Sequence, residues 1–480
     1  MKILTVLHVL GALWMFLALA MLAPIGWSLY YHESDLRAFL ISGAFTLTLG
    51  FIVWIFTGKK EEIGARDGFA IVTIGWVTVA FFGALPAYIS GAIPSFTDAF
   101  FESMSGFTTT GASILTNIES LPHGILFWRS MTHWLGGMGI IVMSLAILPL
   151  LGVGGMQLFK AEVPGPVADK LTPRIKQTAE ILWGVYLLLS ALETILLMFG
   201  GMNLFEALCH TFGTMATGGF STRNASIGAY NSGYIEWVII VFMLLAGCNF
   251  ALHFRALKGD FKTYFKDEEF RFYIGVMVLA AIILIIFNHA WMWDNFNDRF
   301  RHTVFNVVSI STTTGYGTHD YETWSSTGHV VLLALMFVGG MAGSTGGGMK
   351  TMRWLIIIKE ARMQLRQLLH PRAIFPLRLG DRVIRDDIIK NVFGFFLLYL
   401  LLFFIGAVIM TIVGLDFITA VGASAACINN IGPGLGAVGP TDNYSFIHPL
   451  GKWVLTGLML LGRLEVYTVI ILVSRGFWRR

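Results

Sequence analysis

The stretch STTTGYGTHD, residues 311–320, lies between two long apolar segments and is itself almost entirely polar or glycine. Its threonines precede a Gly-Tyr-Gly triplet, and glycine adopts positive φ values that a side chain with a Cβ disfavours. Irregular backbone of this kind is tolerated at membrane depth only where it is buried in protein or lines a watery cavity. The stretch therefore predicts an irregular loop enclosed by membrane helices.

The composition of the whole chain supports a membrane location. Of the 480 residues, 55% are hydrophobic and 13% are charged, whereas soluble domains carry about 25% charged residues. A soluble fold of this size cannot bury so much apolar surface, so most of it must face lipid. The three cysteines show neither a disulfide framework nor a CxxC metal pattern. The sequence predicts an all-α integral membrane protein, whose first apolar segment is too long for a cleavable signal peptide.

Ten apolar segments are long enough to cross a bilayer, which takes about 20 residues. We predict spans at 3–30, 37–57, 68–90, 125–152, 179–200, 235–256, 272–291, 329–358, 390–413 and 452–474. The connections after the third, fifth, seventh and ninth spans each contain a shorter, half-apolar segment followed by a glycine motif. A segment of about 10–14 residues is too short to cross and is typical of a re-entrant element.

Basic residues indicate which connections face the cytoplasm. They cluster after every second span, at Lys59, Lys60, Arg66, Lys160, Lys170, Arg174, Lys176, Arg255, Lys258, Lys262, Lys266, Lys359, Arg362, Arg366, Arg372, Arg378, Arg475, Arg479 and Arg480. The opposite connections hold few, namely Arg37, Arg129, Arg223, Arg299 and Arg301. We therefore expect both termini in the cytoplasm and all four re-entrant segments to enter from outside.

The re-entrant segments form an internal repeat. They read SGFTTTGAS (105–113), GTMATGGFST (213–222), ISTTTGYGTHD (310–320) and CINNIGPGLG (427–436). Aligned on Gly111, Gly218, Gly315 and Gly432, they recur about every hundred residues, the scale of a supersecondary unit. The sequence predicts two extra N-terminal transmembrane helices in 1–60 and four pseudo-symmetric repeats around one pore. Each repeat contains a helix, a pore helix, a filter loop and a second helix, over 61–155, 156–260, 261–362 and 363–480.

Four glycine loops meeting on one axis would present rings of backbone carbonyl oxygens. Such rings replace the water shell of a dehydrated potassium ion, as in filters of TVGYG type. The short helices would aim the negative ends of their dipoles toward the cavity below. Four ordinary extracellular turns are the alternative, which the shared register and shared side of the loops disfavour. The candidate potassium-filter residues are Thr110, Gly111, Thr217, Gly218, Thr314, Gly315, Tyr316, Asn430, Ile431 and Gly432.

These loops, together with GGMAGSTGGGMK (339–350) and GLMLLGRLEVYT (457–468), resemble the Trk/Ktr/HKT superfamily of potassium transport proteins, especially its bacterial TrkH type. The resemblance covers essentially the whole chain. It implies a channel-like pore, a homodimer in the bacterial cytoplasmic (inner) membrane, and a cytosolic nucleotide- and NAD-binding partner of TrkA type that controls opening. In related plant proteins a serine in the first filter loop is associated with sodium, so Gly111 points to potassium. The fourth loop departs from the threonine-rich pattern, with Asn429, Asn430 and Pro433.

The segment GGMAGSTGGGMK lies inside the eighth span and predicts a gate. Six glycines within twelve residues cannot hold a straight helix, since each costs up to about 1 kcal/mol relative to alanine. A flexible loop below the filter could block the path and move aside, whereas close helix packing is the alternative. We favour packing for GGMG (136–139) and a gate here. The candidate gating residues are Gly343, Ser344, Thr345, Gly346, Gly347, Gly348, Lys350 and Arg463.

Arg463 is the most unusual charge, because it lies in the middle of the tenth span, where an arginine costs at least about 2.5 kcal/mol. We predict that it points into the pore beneath the filter and holds the glycine loop closed through bonds to its carbonyls. Pairing with another carboxylate as a structural anchor is the alternative. Lys350 is predicted either to face the pore or to snorkel to the cytoplasmic border.

The cytoplasmic segment 359–387 mixes basic and apolar residues and is broken by Pro371 and Pro376. It is predicted to dock a soluble regulator together with 155–177, or else to lie along anionic headgroups. No nucleotide-binding glycine fingerprint follows a strand in the sequence. We therefore expect no directly bound cofactor, with ATP/ADP or NAD acting only through the partner.

Three other features leave alternatives open. Asp320 could attract cations at the outer mouth or be a solvated loop residue, and His133, Asn249 and His253 are expected to bond between helices. A K+ symporter driven by H+ or Na+ is the alternative function, but such a carrier needs an ionisable pair at the bilayer midplane, which the sequence does not reveal. An enzyme is disfavoured because no HExxH, GxSxG or Walker motif appears.

Overall fold

The structure, a computed structural model, describes residues 1–58, 64–147, 175–287, 295–373, 375–380 and 382–478. Several predictions fall outside these residues. They are the basic residues Lys59, Lys60, Lys160, Lys170, Arg174, Arg479 and Arg480, the positions 155–174 of the docking segment, and the repeat boundaries at 60/61 and 155/156.

Helices make up most of the described chain. In the first half they extend over Ile3–Ala20, Leu22–Tyr30, Leu36–Phe56, Ala65–Ile89, Phe96–Phe107, His123–Ile147, Ile175–Phe199, Leu204–Met215 and Gly233–Ala246. In the second half they extend over Phe250–Leu257, Lys262–Lys266, Glu268–Phe287, Phe296–Ser311, Ser326–Met336, Thr351–Leu369, Asp386–Ile412, Phe417–Ile428, Pro449–Arg463, Tyr467–Val473 and Arg475–Trp478. Single 3-10 turns occupy Ser226–Tyr230 and Tyr321–Thr323. The predicted all-α class is confirmed.

One short hairpin is the exception to the helical fold. Strands Arg378–Leu379 and Arg382–Val383 pair antiparallel, with Arg378 opposite Val383. This hairpin follows the long helix Thr351–Leu369, whose last turn leaves Leu368 and Leu369 exposed. The predicted cytoplasmic segment therefore consists of a protruding helix end and a hairpin.

The described residues contain six helices that are long and apolar enough to cross a membrane, or eight if each of two bent pairs is one span. The eighth predicted span is interrupted by the glycine loop, as the sequence indicates, between Ser326–Met336 and Thr351–Leu369. Two other segments were predicted as continuous spans, and this prediction was wrong because each is bent in the structure. The segment 235–256 bends by 103° after Ala246, and the segment 452–474 bends by 119° after Arg463.

Each bend has a local cause. In the first, the side-chain oxygen of Asn249 accepts the backbone N–H of Ala251 at 2.8 Å and starts a new helix, as N-cap residues do. In the second, Glu465 and Val466 have positive φ values of 56° and 38°. A branched residue rarely adopts that conformation, so the surrounding contacts must hold it. One or two polar residues lower the average hydropathy of a long apolar segment only slightly, which is why the sequence pattern did not reveal the breaks.

Four short helices, the re-entrant helices, point into the protein: Phe96–Phe107, Leu204–Met215, Phe296–Ser311 and Phe417–Ile428. Each begins at a residue whose side chain accepts a backbone N–H of the first turn, namely Ser95, Asn203, Asn295 and Asp416. In the first of them every residue from Ala99 to Phe107 is buried. The long spans, in contrast, expose their apolar side chains on the surface of the protein. The span Leu36–Phe56, for example, exposes most of them. The re-entrant helices thus form the centre, and the spans provide the surface that faces lipid.

Candidate functional site

The four re-entrant loops, which follow the re-entrant helices, share one backbone conformation. In each, the second residue after the helix is left-handed, with φ values of 50°, 53°, 62° and 54° for Thr109, Thr217, Thr313 and Asn430. In each, the next backbone N–H returns to a carbonyl five residues earlier, as from Thr110 to Ser105 at 2.8 Å and from Thr314 to Ser309 at 2.9 Å. Left-handed threonines are strained, and such strain is concentrated at functional sites.

The shared conformation corrects the register of the second loop. The fourth residue after each re-entrant helix is a glycine with positive φ: Gly111 at 80°, Gly219 at 79°, Gly315 at 81° and Gly432 at 97°. Gly218 does not have a positive φ and corresponds to Thr110 instead. The alignment on Gly218 was therefore wrong by one residue, because the second loop carries two adjacent glycines and the sequence alone does not distinguish them.

These four glycines close a ring. A Cβ added to Gly111 would overlap the carbonyl oxygen of Gly218, and one added to Gly219 would overlap that of Thr314. In the same way, a Cβ on Gly315 would overlap the carbonyl oxygen of Ile431, and one on Gly432 would lie 2.7 Å from that of Thr110. Each loop therefore contacts the next in the order first, second, third, fourth and back to the first. The four similar backbones form one closed ring.

A cavity of about 80 Å³ lies over this ring, and each re-entrant loop contributes a glycine to its wall. Its lining includes Asp442, Arg129 and Arg223, so Asp442 is the acidic residue of this vestibule. Asp320 is not among the lining residues. Its carboxylate accepts the N–H of Glu322 and starts a 3-10 turn.

Side chains behind the ring hold the loops in place. The Tyr316 hydroxyl donates to the carbonyl of His210 at 3.0 Å and lies 3.3 Å from that of Phe220, which fixes the third loop against the second. The side chain of Tyr316 is buried in these contacts, and its backbone carbonyl accepts the Ser309 hydroxyl at 2.6 Å. The Tyr444 hydroxyl donates to the Gly432 carbonyl at 2.7 Å and supports the fourth loop.

A buried ion pair joins the first two loops. Glu102 and Arg129 lie 2.8 Å apart and are 4% and 5% exposed. Glu102 also accepts the N–H of Ile114, and Arg129 donates to the carbonyl of Ser221. The sequence analysis treated Arg129 only as a basic residue of an outer connection. The signal it missed was a glutamate in the middle of a re-entrant helix.

The acidic group at the outer end of the fourth loop is Glu322. It accepts the N–H of Gly436 at 3.0 Å. Burial raises the pKa of the Glu322 carboxyl above its ordinary value, and the neighbouring Asp320 and Asp442 carboxylates add to this shift.

His253 bonds between helices, as the sequence predicts, whereas His133 bonds to a loop and Asn249 caps its own helix. His133 accepts the N–H of Phe220 at 3.4 Å and stacks on its ring, behind the second loop. His253 bonds to Tyr264 and to the carbonyl of Leu245. The GGMG segment packs closely, since a Cβ on Gly136 would overlap the Phe107 carbonyl. The packing interpretation of 136–139 thus agrees with the structure.

The glycine loop, residues 339–350, lies against the inner side of the ring. The Gly347 N–H donates to the Thr313 hydroxyl at 2.6 Å, and a Cβ on Gly347 would lie 2.6 Å from the carbonyl of Asn429. The loop therefore contacts the left-handed residue of the third re-entrant loop and the start of the fourth.

Polar groups of the glycine loop form hydrogen bonds with the backbone exposed at the helix break after Ala246. The Met341 N–H donates to the Gly247 carbonyl at 2.8 Å, and the Phe250 N–H donates to the Gly343 carbonyl at 3.1 Å. The Thr345 hydroxyl bonds to the carbonyls of Met215 and Ala246. Non-helical backbone at membrane depth needs such partners, so the break and the loop support each other.

Arg463 contacts the glycine loop as the sequence predicts. Its Nη1 donates to the Thr345 carbonyl at 2.7 Å, and its Nη2 lies 3.4 Å from the Gly136 carbonyl. The side chain is 3% exposed. Among the described residues no carboxylate pairs with Arg463, whereas the nearby Glu465 pairs with Arg353 at 2.6 Å.

Lys350 lies inside the glycine loop. Its ammonium donates to the carbonyl of Gly346, and the residue is 9% exposed. Of the two predicted positions, the snorkelling one was wrong, because a lysine at the headgroup border would keep its charge in water. The same loop also contains Gly343, Gly346 and Gly348, which are closely packed. Two of them, Gly343 and Gly348, have positive φ values.

Glu193 and Glu269 are two of the buried acids that the sequence analysis did not single out. Glu193, in the span Ile175–Phe199, is 0% exposed and lies beside Thr214. Glu269 is 2% exposed at the start of the span Glu268–Phe287. The sequence revealed no ionisable pair at the bilayer midplane, and the structure adds Glu193 as a buried acid within a span. Glu193 lies within a strongly apolar segment, and Glu269 lies at the beginning of one. In both places a single charged residue changes the average hydropathy of the segment very little.

Known proteins are similar to the chain over nearly its whole length. The family model for TrkH, a cation transport protein, matches residues 35–478. The Trk system potassium uptake proteins TrkH of Salmonella typhimurium and of Escherichia coli K12 are each 42% identical to the chain, over 98% of the chain and 98% of the relative. These names describe transport proteins rather than enzymes, as the sequence predicts.

A comparison of the fold with solved structures also finds a potassium transporter. The crystal structure of the potassium transporter TrkH from Vibrio parahaemolyticus matches with a TM-score of 0.92 at 38% identity, and the match covers 100% of both chains. The resemblance noted in the sequence thus extends to nearly every residue. The chain is a multi-pass membrane protein and belongs to the TrkH family of cation transport proteins.

Proposed function

We propose that the chain takes up potassium through a channel-like pore with a four-loop carbonyl filter. The observation that carries this proposal is the closed ring, in which Gly111, Gly219, Gly315 and Gly432 each abut a carbonyl of the next loop. Four equivalent backbones around one axis can present successive rings of oxygens to a dehydrated cation. Potassium is the proposed ion because relatives 42% identical over nearly the whole chain are named potassium uptake proteins.

Filter oxygens come from the backbone first. The carbonyls of Thr110, Gly218, Thr314 and Ile431 form one ring, each against the glycine of a neighbouring loop. The left-handed residues supply a second, inner layer of side-chain oxygens. Within the described residues, the Thr109 hydroxyl and the Asn430 amide oxygen are buried without a hydrogen-bond partner, and an unsatisfied buried oxygen suits a cation. Tyr316 acts as a brace rather than as a ligand.

The glycine loop acts as the gate. It contacts the inner side of the ring at Thr313, where an ion leaving the filter must pass. Arg463 holds the loop there through Thr345, and its buried positive charge repels cations at the same place. Gly343, Ser344, Gly346, Gly347, Gly348 and Lys350 provide the bendable and polar backbone of this gate.

Regulation and assembly follow the family. The chain would work as a homodimer in the bacterial cytoplasmic membrane with both termini in the cytoplasm, as the distribution of basic residues supports. A cytosolic TrkA-type subunit would bind ATP/ADP or NAD and act on the hairpin and the protruding helix. The four repeats at 61–155, 156–260, 261–362 and 363–480 would form the pore, with 1–60 outside it.

Coupling to H+ is the second candidate, and Glu193 is the observation that favours it. A carrier needs an ionisable group inside the membrane, and Glu193 is fully buried beside the second re-entrant helix. Among the described residues no basic side chain lies within salt-bridge distance of it. A passive pore predicts that Glu193→Gln leaves the dependence of uptake on a pH gradient unchanged, whereas a coupled carrier predicts that it is lost.

The test is ⁸⁶Rb⁺ flux into liposomes that contain the purified chain, with K+ or Na+ as competitor. The proposal predicts flux down the Rb+ gradient that K+ suppresses much more strongly than Na+. Single-channel steps in a planar bilayer would exclude obligatory coupling. Absence of flux in the purified chain, both alone and with the regulatory subunit, would contradict the proposed function.

A further inference from the structure

Two adjacent glutamates begin the span Glu268–Phe287, and each binds a different part of the protein. Neither was singled out in the sequence, and the filter and gate described above do not use them. Glu269 is buried against the glycine loop, whereas Glu268 is half-buried toward the hairpin Arg378–Val383. Their contacts therefore connect the gate with the cytoplasmic surface.

Glu269 holds both ends of the glycine loop with one oxygen. Its Oε1 accepts the N–H of Ala342 at 2.9 Å, near the beginning of the loop. The same atom accepts the hydroxyl of Thr351 at 2.6 Å and the N–H of Met352 at 3.0 Å, just after its end. A carboxylate that accepts several hydrogen bonds makes stronger bonds than a neutral group. Movement of either end of the loop must break them.

The bonds from Glu269 to Thr351 and Met352 also cap the N-terminus of the helix Thr351–Leu369. The helix Thr351–Leu369 begins after Lys350, whose side chain makes no cap bond. The first backbone N–H groups of a helix need acceptors from elsewhere, and a negative charge at that end is stabilising. Glu269 supplies both from the neighbouring span. The start of this helix is thus fixed to the gate by a residue outside it.

Glu268 binds the hairpin. Its Oε1 pairs with the Lys359 ammonium at 2.5 Å, and its Oε2 accepts the N–H of Gly380, at the hairpin turn, at 3.0 Å. Lys359 also donates to the carbonyl of Arg378 in the first strand. The turn, the long helix and the start of the span Glu268–Phe287 are thereby joined at one point.

We propose that the Glu268–Glu269 pair transmits movement of the hairpin Arg378–Val383 to the glycine loop. Because the two residues are adjacent in one rigid helical turn, displacing the hairpin pulls on Glu268 and loosens the bonds that Glu269 makes. Glu269 is a positioning residue of the gate, and Glu268 is its link to the cytoplasmic side. This inference rests on the proposed gating role of the glycine loop.

Hydrogen exchange of the full chain in lipid nanodiscs tests the link without any regulator. The variants are Glu268→Gln and Lys359→Gln, which weaken only the hairpin contact, and Asp260→Asn, which removes an exposed acidic charge from the connection before this span as a matched control. We expect amides of the segment 339–352 to exchange about tenfold faster in the first two variants, because local opening follows the loss of its restraining bonds. The control should stay within about twofold of the wild type.

Unchanged exchange in 339–352 in both Glu268→Gln and Lys359→Gln would overturn the inference, whatever happens to the hairpin. A second measurement uses Glu269→Gln, which keeps an acceptor oxygen but loses the charge. Its basal ⁸⁶Rb⁺ flux should rise severalfold, and flux equal to that of the wild type would contradict the positioning role. Failure of the wild-type chain to carry Rb+ would instead refute the proposed function, since the exchange result does not depend on transport.

Discussion

Replacing Arg463 by glutamine tests the gate directly. The substitution leaves a shorter, neutral side chain, so the bond from Nη1 to the Thr345 carbonyl, 2.7 Å long, is lost together with the contact to Gly136. The glycine loop keeps its bonds to Gly247 and to Thr313. The change therefore weakens the closed position of the loop without removing its remaining support.

The magnitude follows from the contact that is lost. A hydrogen bond to a charged group contributes about 1.5–3 kcal/mol, and the second contact, at 3.4 Å, adds little. If this energy stabilises only the closed state, its loss shifts the closed–open equilibrium by about tenfold to a hundredfold. Removal of a buried positive charge from the ion path acts in the same direction.

The assay is ⁸⁶Rb⁺ flux into liposomes, with open probability measured in planar bilayers. Arg463→Gln should increase basal flux about tenfold or more, while Arg463→Lys, which keeps the charge but not the planar group, should lie between it and the wild type. The matched control is Arg366→Gln, which changes an exposed arginine in the last turn of the helix Thr351–Leu369. Flux that is unchanged or lower in Arg463→Gln, with the protein correctly folded, would refute the gating argument.

Three more substitutions test other parts of the site. Gly219→Ala should abolish flux, because its Cβ would overlap the carbonyl oxygen of Thr314, and equal flux would contradict the corrected register. Arg129→Gln should lower the thermal unfolding midpoint markedly, since leaving Glu102 buried and unpaired costs about 3–5 kcal/mol; a midpoint unchanged by calorimetry would contradict this. Uptake should fall as external pH drops through the raised pKa of Glu322, since protonation weakens the bond by which its carboxylate accepts the Gly436 N–H and supports the fourth loop; Glu322→Gln should reduce that pH dependence, and an identical pH profile would contradict it.

The re-entrant loops could be predicted because their signal is local. A short half-apolar segment followed by threonines and glycine is recognisable wherever it occurs, and four copies reinforce one another. The register of the second loop could not be predicted in the same way. Its conformation is set by the distance from the end of the helix Leu204–Met215, and either Gly218 or Gly219 satisfies the pattern of residue types.

The contact of Arg463 was predictable from energetics. A charge within a span must find polar partners, and the glycine loop is the segment that frees its carbonyls. The breaks after Ala246 and Arg463 were not predictable, because both lie in largely apolar sequence and depend on contacts with other parts of the chain. Glu269 was missed for a related reason, since its partners lie more than seventy residues away.

The arrangement of the four loops around one ion is tested most directly by locating the ion. Crystals or cryo-EM samples prepared in Rb+ or Tl+ should show density on the axis between Gly111, Gly219, Gly315 and Gly432, in contact with the carbonyls of Thr110, Gly218, Thr314 and Ile431. We expect that density to disappear when Na+ replaces Rb+. Cation density away from this axis, or none there in saturating Rb+, would contradict the four-loop filter.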